Sequence, residues 1–137
     1  MPGTETIFTI DTSSIKYGPG ATREVGEEMR RLGATRVLVV TDPRLSDSQA
    51  VQTTLESLRA AGIEAELYDR TRVEPTDASF LDAIAVATEG KFDGYVGVGG
   101  GSSIDTAKVA NLYAPWPTDL LEDVNAPVGR ATPVPGP

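Results

Sequence analysis

The chain has 137 residues, 39% of them hydrophobic and 23% charged, which is typical of one globular domain and not of a disordered segment. Its formal net charge of −8 repels nucleic-acid phosphates and anionic lipid headgroups, so neither nucleic acid nor a membrane surface is expected as a partner. These residues include no cysteine and no histidine, which excludes a disulfide, a thiolate nucleophile or an imidazole base among them.

The amino terminus carries no recognisable secretory signal. Residues 1–15 lack a basic start followed by an apolar core, and no apolar run in the chain is long enough to span a bilayer. We therefore expect a cytoplasmic protein.

Short β-branched runs alternate with longer helical patterns, which predicts an α/β fold with helices packed on a parallel sheet. The predicted strands are residues 6–10, 15–17, 36–41, 63–68 and 94–98. The predicted helices are residues 21–32, 49–61, 76–89 and 102–112. Residues 36–41 are almost entirely apolar, as in a strand covered on both faces.

Helical spacing also predicts which side chains face inward. On the first three helices these are Val25, Met29 and Leu32; Val51, Leu55 and Leu58; and Phe80, Leu81, Ile84 and Ala85.

Prolines recur from residue 115 to residue 137, where hydrophobic periodicity is weak. Residues 133–137 cannot form a regular helix or a central strand, and residues 119–124 favour one short helical turn at most. We divide the chain into an α/β domain, residues 1–114, and a proline-rich tail or linker, residues 115–137. Trp116 is expected to anchor this tail.

A run of three glycines separates the strand at 94–98 from the helix that follows. Gly99, Gly100 and Gly101 lack the Cβ atoms that would keep a phosphate away from the backbone. A helix start adds free N–H groups and partial positive charge, so this turn is a candidate phosphate cradle. A tight connection with ordinary capping is the alternative.

Two serines follow the glycines. Ser102 and Ser103 are placed either to cap the helix or to donate a hydrogen bond to a phosphate oxygen. Asp105 lies three residues after Ser102, which is the spacing of a capping box. The run does not match the usual G-x-G-x-x-G fingerprint in register, and Lys108 is too far from the last glycine for a Walker A motif.

Asp42 follows the apolar strand at 36–41. If that strand lies beside the one at 94–98, Asp42 and the glycine run open on one crevice. A carboxylate there accepts hydrogen bonds from an adenosine ribose and repels a 2′-phosphate, which favours NAD over NADP. The alternative is a turn residue that caps Leu45 or Ser46 after Pro43.

Glu74 precedes Pro75 and Thr76, and Thr76 is a good helix N-cap. The loop should reach the same edge of the sheet, where Glu74 either contacts a nucleotide or is a solvated loop acid. The other acidic clusters are expected to be solvated helix faces, and no catalytic residue is assigned.

The run from Gly99 to Lys108, Gly-Gly-Gly-Ser-Ser-Ile-Asp-Thr-Ala-Lys, resembles the nucleotide-binding signature of the iron-containing (group III) alcohol dehydrogenases. Residues 72–76, 111–114 and 123–129 are also similar to that family, and together they most resemble its hydroxyacid-oxoacid transhydrogenase branch. The similarity extends from about Phe8 to the end of the chain.

This resemblance implies a Rossmann-like fold of the kind that forms the amino-terminal domain of dehydroquinate synthase. It also implies a two-domain enzyme whose amino-terminal domain holds NAD or NADP. By position, Asp42 matches the ribose-binding acid and Gly99 to Ser102 match the pyrophosphate loop, while Glu74 stands where relatives often have asparagine.

The resemblance further implies that a helical second domain holds a divalent ion, usually iron, through an aspartate and several histidines. This chain has no histidine, so we expect both the metal site and the helical metal domain to be absent from it.

The sequence is compatible with three alternative functions. In the first, the chain is the cofactor platform of an oxidoreductase that moves hydride between an alcohol or hydroxy acid and a nicotinamide or oxoacid, and it has no turnover alone. In the second, it is a stand-alone dinucleotide-binding or interaction module that works with a separate metal-domain chain. The third, from pattern alone, is a flavodoxin-like or sugar-phosphate-binding domain. A homo-oligomer is a further expectation, since an apolar face near Trp116 would favour self-association.

Overall fold

The computed structural model describes residues 13–116, which form a three-stranded parallel sheet between two layers of helices. The strands are β1 (Arg36–Val40), β2 (Glu64–Tyr68) and β3 (Gly94–Gly97). The helices are a short 3-10 helix (Ala21–Glu24), α1 (Val25–Arg31), α2 (Gln49–Ala60), α3 (Asp77–Gly90) and α4 (Gly101–Tyr113). The predicted α/β class with flanking helices is confirmed.

Strand β1 is the centre of the sheet, whose order is β2-β1-β3. It pairs in parallel on both edges, with Val39 beside Leu67 of β2 and beside Val96 of β3. Residues 37–40 are all 1% exposed or less, because helices cover both faces of the strand. The nearly continuous apolar run therefore marks a doubly covered strand, as its sequence predicts.

The side chains of β1 alternate between two cores. Val37 and Val39 pack in a cluster with Val51, Leu55 and Leu58, so the predicted inward face of α2 is confirmed. Leu38 and Val40 point the other way, into a cluster with small residues of α3 and α4, namely Ala83, Ala87, Ala107 and Ala110.

The connections from β1 and β3 leave the sheet on opposite sides. Strand β1 leads into α2 on one face, and β3 leads into α4 on the other face. A crevice opens outside the carboxyl ends of neighbouring strands at such a topological switch point. The fold thus places a topological switch point between the loops that follow β1 and β3.

Two predictions near the amino terminus are wrong. Residues 15–17 have no regular secondary structure and pair with no strand in the described range, and Ile15 and Tyr17 are 82% and 100% exposed. The intervening Lys16 instead donates to Glu24 and Glu28, so side-chain ion pairs hold this segment rather than a sheet. Leu32 lies past the end of α1 and is 80% exposed, not inward.

The buried face of α3 also differs from the prediction. Ser79, Ala83 and Ala87 face inward, whereas Leu81 is 55% exposed and Ala85 is exposed. Phe80 and Ile84 are only half-buried. Helices α3 and α4 lie side by side on the same sheet face, so small side chains occupy the contact and larger ones are displaced to its margin.

Three predictions fall outside the described residues: the strand at 6–10, the turn at 119–124 and most of the tail at 115–137. The division of the chain at residue 114 stays a prediction. Within residues 13–116, no helix is long and apolar enough to cross a membrane.

Asp93 fastens the start of β3 to the start of β1. Its carboxylate accepts hydrogen bonds from the backbone N–H groups of Thr35 and Arg36, at 2.9 and 2.8 Å, and from the Thr35 hydroxyl. Desolvation alone would raise the pKa of Asp93, but the hydrogen bonds from Thr35 and Arg36 outweigh it, and the pKa is lowered.

Asp93→Asn should therefore reduce the free energy of unfolding at pH 7 by about 1–2 kcal/mol, because the amide accepts fewer of these bonds and they lose their charge. A lowered folded-state pKa stabilises the protein above the unfolded pKa, and this contribution is lost as the pH falls through the folded value. The difference in the free energy of unfolding between wild type and Asp93→Asn should therefore be smaller at acidic pH.

Urea unfolding at pH 7 and pH 3 measures this difference. Glu56→Gln is the matched control, since Glu56 is exposed on α2 and forms no ion pair in the described structure. If wild type and Asp93→Asn differ by the same unfolding free energy at both pH values, the lowered pKa of Asp93 is contradicted.

Candidate nucleotide-binding site

Three loops meet at the carboxyl edge of the sheet, and hydrogen bonds link them in series. The Thr41 hydroxyl, after β1, donates to the Val98 carbonyl, after β3, at 2.8 Å. The Thr71 N–H, after β2, donates to the Thr41 carbonyl at 3.3 Å. The Ser102 hydroxyl at the start of α4 donates to the Val73 carbonyl at 2.6 Å. Each loop is therefore positioned by its neighbours.

Gly99 is required by both conformation and packing. Its φ of +139° lies in a region that other residues rarely adopt. A Cβ there would lie 2.9 Å from the Ser103 Oγ and 3.2 Å from the Leu45 Cδ1. Leu45 belongs to the loop after β1, so the loops that carry Asp42 and Gly99 lie next to each other, as expected for the ends of neighbouring strands β1 and β3.

Gly97, at the end of β3, has a different role. A Cβ at this position would lie 3.1 Å from the Cα of Ile104 and 3.3 Å from the carbonyl oxygen of Ser103. The absence of a side chain lets α4 start close against the strand, which fixes the direction of its first turn.

Gly100 and Gly101 are not explained by packing within the described chain. A Cβ on either would meet nothing within 4 Å, and Gly100 has an ordinary φ of −86°. The open space lies at the first turn of α4. Glycine at these two positions keeps the backbone accessible from outside, as a cradle for an incoming group requires.

Within the described residues, the first N–H groups of α4 include paired and unpaired donors. Those of Ser103 and Ile104 donate to the Gly100 carbonyl at 3.2 Å each. In the part of the chain that the structure describes, those of Gly100, Gly101 and Ser102 have no acceptor. Three adjacent donors at the positive end of a thirteen-residue helix fit the oxygens of a diphosphate.

The predicted capping of α4 by serine is wrong. The helix begins at Gly101, one residue earlier than predicted, and its N-cap is Gly100 without a side-chain cap. Ser102 is the second residue of the helix rather than its N-cap, so it makes no capping box with Asp105, and its hydroxyl donates to the Val73 carbonyl. Ser103 is 1% exposed and packs against Gly99.

Asp42 closes the turn that follows β1. Its side chain is 16% exposed, and its Oδ1 accepts the backbone N–H of Arg44 at 2.8 Å. The Leu45 N–H instead bonds to the Asp42 carbonyl at 3.0 Å. Asp42 is therefore a turn residue, although its side chain accepts the N–H of Arg44 rather than that of Leu45 or Ser46. The second carboxylate oxygen has no hydrogen-bond partner among residues 13–116 and is available to a ligand.

Glu74 lies exposed in the loop after β2. On one side Val73 is held by Ser102, and on the other Thr76 begins α3. The predicted N-cap is confirmed: Thr76 accepts the Ser79 N–H, and the Ser79 hydroxyl accepts the Thr76 N–H, as a reciprocal pair. The loop is thus fixed at both ends, and a nucleotide contact by Glu74 stays a prediction.

The sequence does not identify Thr41 and Thr71 as buried residues of the site, because polar residues at strand ends and in loops are usually solvated. Both are at most 2% exposed. Within the described range the Thr71 Oγ1 is buried without a hydrogen-bond partner. Such an atom costs about 1–3 kcal/mol until a water molecule or ligand satisfies it. No local sequence pattern would have singled it out.

Ionisable groups beside the crevice pair with each other. The Tyr68 hydroxyl donates to Asp82 at 2.8 Å, and the Arg70 Nε donates to the same oxygen at 2.9 Å. Burial and the bond to Asp82 raise the pKa of Tyr68 to about 12, and bonds from Arg70 and Tyr68 lower the pKa of Asp82. Tyr68 is therefore a neutral phenol at pH 7 and Asp82 a paired carboxylate. Among residues 13–116, no three carboxylates gather as a metal site.

Comparison with known proteins places the chain in one family. A model of the iron-containing alcohol dehydrogenase family matches residues 12–135. Mitochondrial hydroxyacid-oxoacid transhydrogenases are similar throughout. The protein of Rattus norvegicus is 49% identical over 132 residues, which cover 96% of this chain and 28% of the relative. That of Mus musculus is 50% identical over 128 residues, 93% and 28% of the two chains.

Solved structures agree in fold. A 1,3-propanediol oxidoreductase superposes with a TM-score of 0.74 at 39% identity, over 77% of this chain and 28% of its own. The NADH-dependent butanol dehydrogenase A of Thermotoga maritima superposes with a TM-score of 0.79 at 26% identity, over 87% and 30% of the two chains.

The expectation of a cytoplasmic protein is contradicted, because relatives that are about half identical are mitochondrial. That expectation used only the lack of a secretory pattern and of a membrane-spanning run, and neither distinguishes the cytoplasm from a mitochondrial compartment. The chain spans a little over a quarter of the length of these relatives. The family model nevertheless covers nearly all of it, and the chain belongs to the iron-containing alcohol dehydrogenase family.

Proposed function

We propose that this chain is the dinucleotide-binding part of a metal-dependent dehydrogenase that acts on an alcohol or hydroxy acid. The observation that carries the proposal is the group of three free N–H donors at Gly100, Gly101 and Ser102, beside Asp42 at the switch point. In this assignment the pyrophosphate lies on the glycine turn and the adenosine ribose lies on Asp42. The relatives named as dehydrogenases and transhydrogenases support the reaction class.

The binding of an anion by an acidic chain has a specific physical basis here. Backbone N–H groups and the helix dipole supply positive potential without a charged side chain. Because Gly100 and Gly101 carry no Cβ, phosphate oxygens can approach these donors to hydrogen-bond distance. The net charge of −8 slows encounter with the dinucleotide but leaves this local field in place.

Asp42 would orient the ribose and select the cofactor. Its free carboxylate oxygen accepts a 2′-hydroxyl hydrogen, whereas a 2′-phosphate would bring like charges together. The proposal therefore favours NAD over NADP. Glu74, on the adjacent loop, is assigned to the same nucleotide.

When bound, the nicotinamide supplies hydride transfer, and in the family an iron-type ion acts as a Lewis acid on the substrate oxygen. The described residues do not fit that ion, because no carboxylate cluster forms and the chain has no histidine. We assign this chain cofactor binding and no chemical step. The metal ligands then belong to a second domain or to a separate chain.

Titration calorimetry with NAD tests the site. We expect binding to the purified chain that is weak, with a Kd on the order of 1 mM or about −4 kcal/mol, because these loops form only part of a dinucleotide crevice. Affinity in the nanomolar range would favour the autonomous module instead. No detectable binding at millimolar NAD would contradict the assignment of the glycine turn.

The substitutions Gly100→Ala and Gly101→Ala test NAD binding without disturbing the fold. Each new methyl group meets no neighbour in the described chain, so thermal stability should be unchanged or slightly raised. The methyl group would occupy the space before the N–H donors and should weaken NAD binding by about tenfold, the equivalent of one hydrogen bond to a charged group. Gln49→Ala, at the first position of α2, is the control. Unchanged NAD affinity in both glycine variants would rule out the cradle.

The purified chain should oxidise no alcohol or hydroxy acid with NAD, even with ferrous ion added. This follows from the donor set, since its described residues gather no metal ligands. NADH absorbance measures the reaction. Sustained turnover by the chain without a second polypeptide would refute the division of roles.

A further inference from the structure

The loop after β1 carries two opposite charges at the rim of the crevice. Asp42 is largely buried, with 16% of its side chain exposed, whereas the Arg44 side chain is 74% exposed. They are two residues apart in one turn, and the Arg44 backbone N–H donates to Asp42 at 2.8 Å. The guanidinium therefore lies next to the carboxylate and is far more exposed to solvent.

The Arg44 side chain is held only loosely. Its Nε lies 3.5 Å from the Asp42 Oδ1, which is close enough for charge attraction but long for a hydrogen bond. Its terminal nitrogens have no acceptor in the described residues. An exposed pair of this kind contributes little to stability, so the guanidinium can turn outward at small cost while the backbone bond keeps the turn.

These two groups have opposite effects on a 2′-phosphate. The Asp42 carboxylate repels it, whereas a guanidinium next to the ribose can form paired hydrogen bonds with phosphate oxygens. Arginine suits this better than lysine because its planar fork matches two oxygens at once.

We infer that Arg44 is a specificity-determining residue that weakens the preference for NAD by binding the 2′-phosphate of NADP. The inference rests on the proposed function, because it needs the ribose to lie on Asp42. In this arrangement Asp42 accepts a hydrogen bond from a 2′-hydroxyl, and Arg44 binds a 2′-phosphate. The site accepts both cofactors, with NAD bound moderately better.

The test is titration calorimetry of the chain with NAD, NADP, 5′-AMP and adenosine 2′,5′-bisphosphate at low ionic strength. Arg44→Ala should weaken NADP and the bisphosphate by about tenfold, as for a lost hydrogen bond between charged groups, and change NAD and 5′-AMP by less than about threefold. Arg44→Lys should fall between wild type and Arg44→Ala.

Arg59→Ala is the matched control, because Arg59 is exposed at the end of α2 that leads into the start of β2, away from the crevice. Asp42→Asn keeps the turn acceptor and removes the charge, so its NADP affinity should rise. Equal effects of Arg44→Ala on NAD and NADP, or none on either, would overturn the role of Arg44 while NAD binding to wild type still upholds the proposed function. A wild-type chain that binds none of the four ligands would refute both.

Discussion

Strand β1 has a partner strand on each edge and a layer of helices on each face, and this double enclosure determines where the other elements lie. The enclosure requires an apolar strand, which residues 37–40 supply. It also leaves α2 and α4 on opposite faces, so the loops after β1 and β3, which lie next to each other at Leu45 and Gly99, lead to opposite sides of the sheet. The topological switch point is thus a consequence of the core.

The glycines beside the crevice divide into two groups once the contacts are known. Gly97 and Gly99 are explained by the chain itself, through the close approach of α4 and through a positive φ. Gly100 and Gly101 have no such internal reason, and the N–H groups there have no acceptor in the described chain. This contrast, rather than the count of three glycines, is the basis for proposing an external anion at the glycine turn.

Much of this could be predicted from the sequence, because the patterns report burial directly. The apolar run of β1, the inward face of α2 and the Thr76 cap follow from local chemistry. The errors concern elements whose surroundings the sequence does not contain. Leu81 is exposed because α4 lies beside α3. Ser102 does not cap its helix because α4 already begins at Gly101, where the Ser102 hydroxyl bonds to Val73, 29 residues earlier in the chain. The meeting of Thr41, Thr71 and Val98 likewise depends on strand order.

The central claim is that a dinucleotide diphosphate lies on the first turn of α4. Amide chemical shifts in ¹H–¹⁵N NMR spectra during a titration with NAD test it most directly. The largest shifts should occur at Gly100, Gly101 and Ser102, with smaller shifts near Asp42. The ends of the strands at Arg36 and Glu64, on the opposite edge of the sheet, should be unaffected. Shifts concentrated at that opposite edge, with the first turn of α4 unchanged, would rule out a diphosphate on that turn.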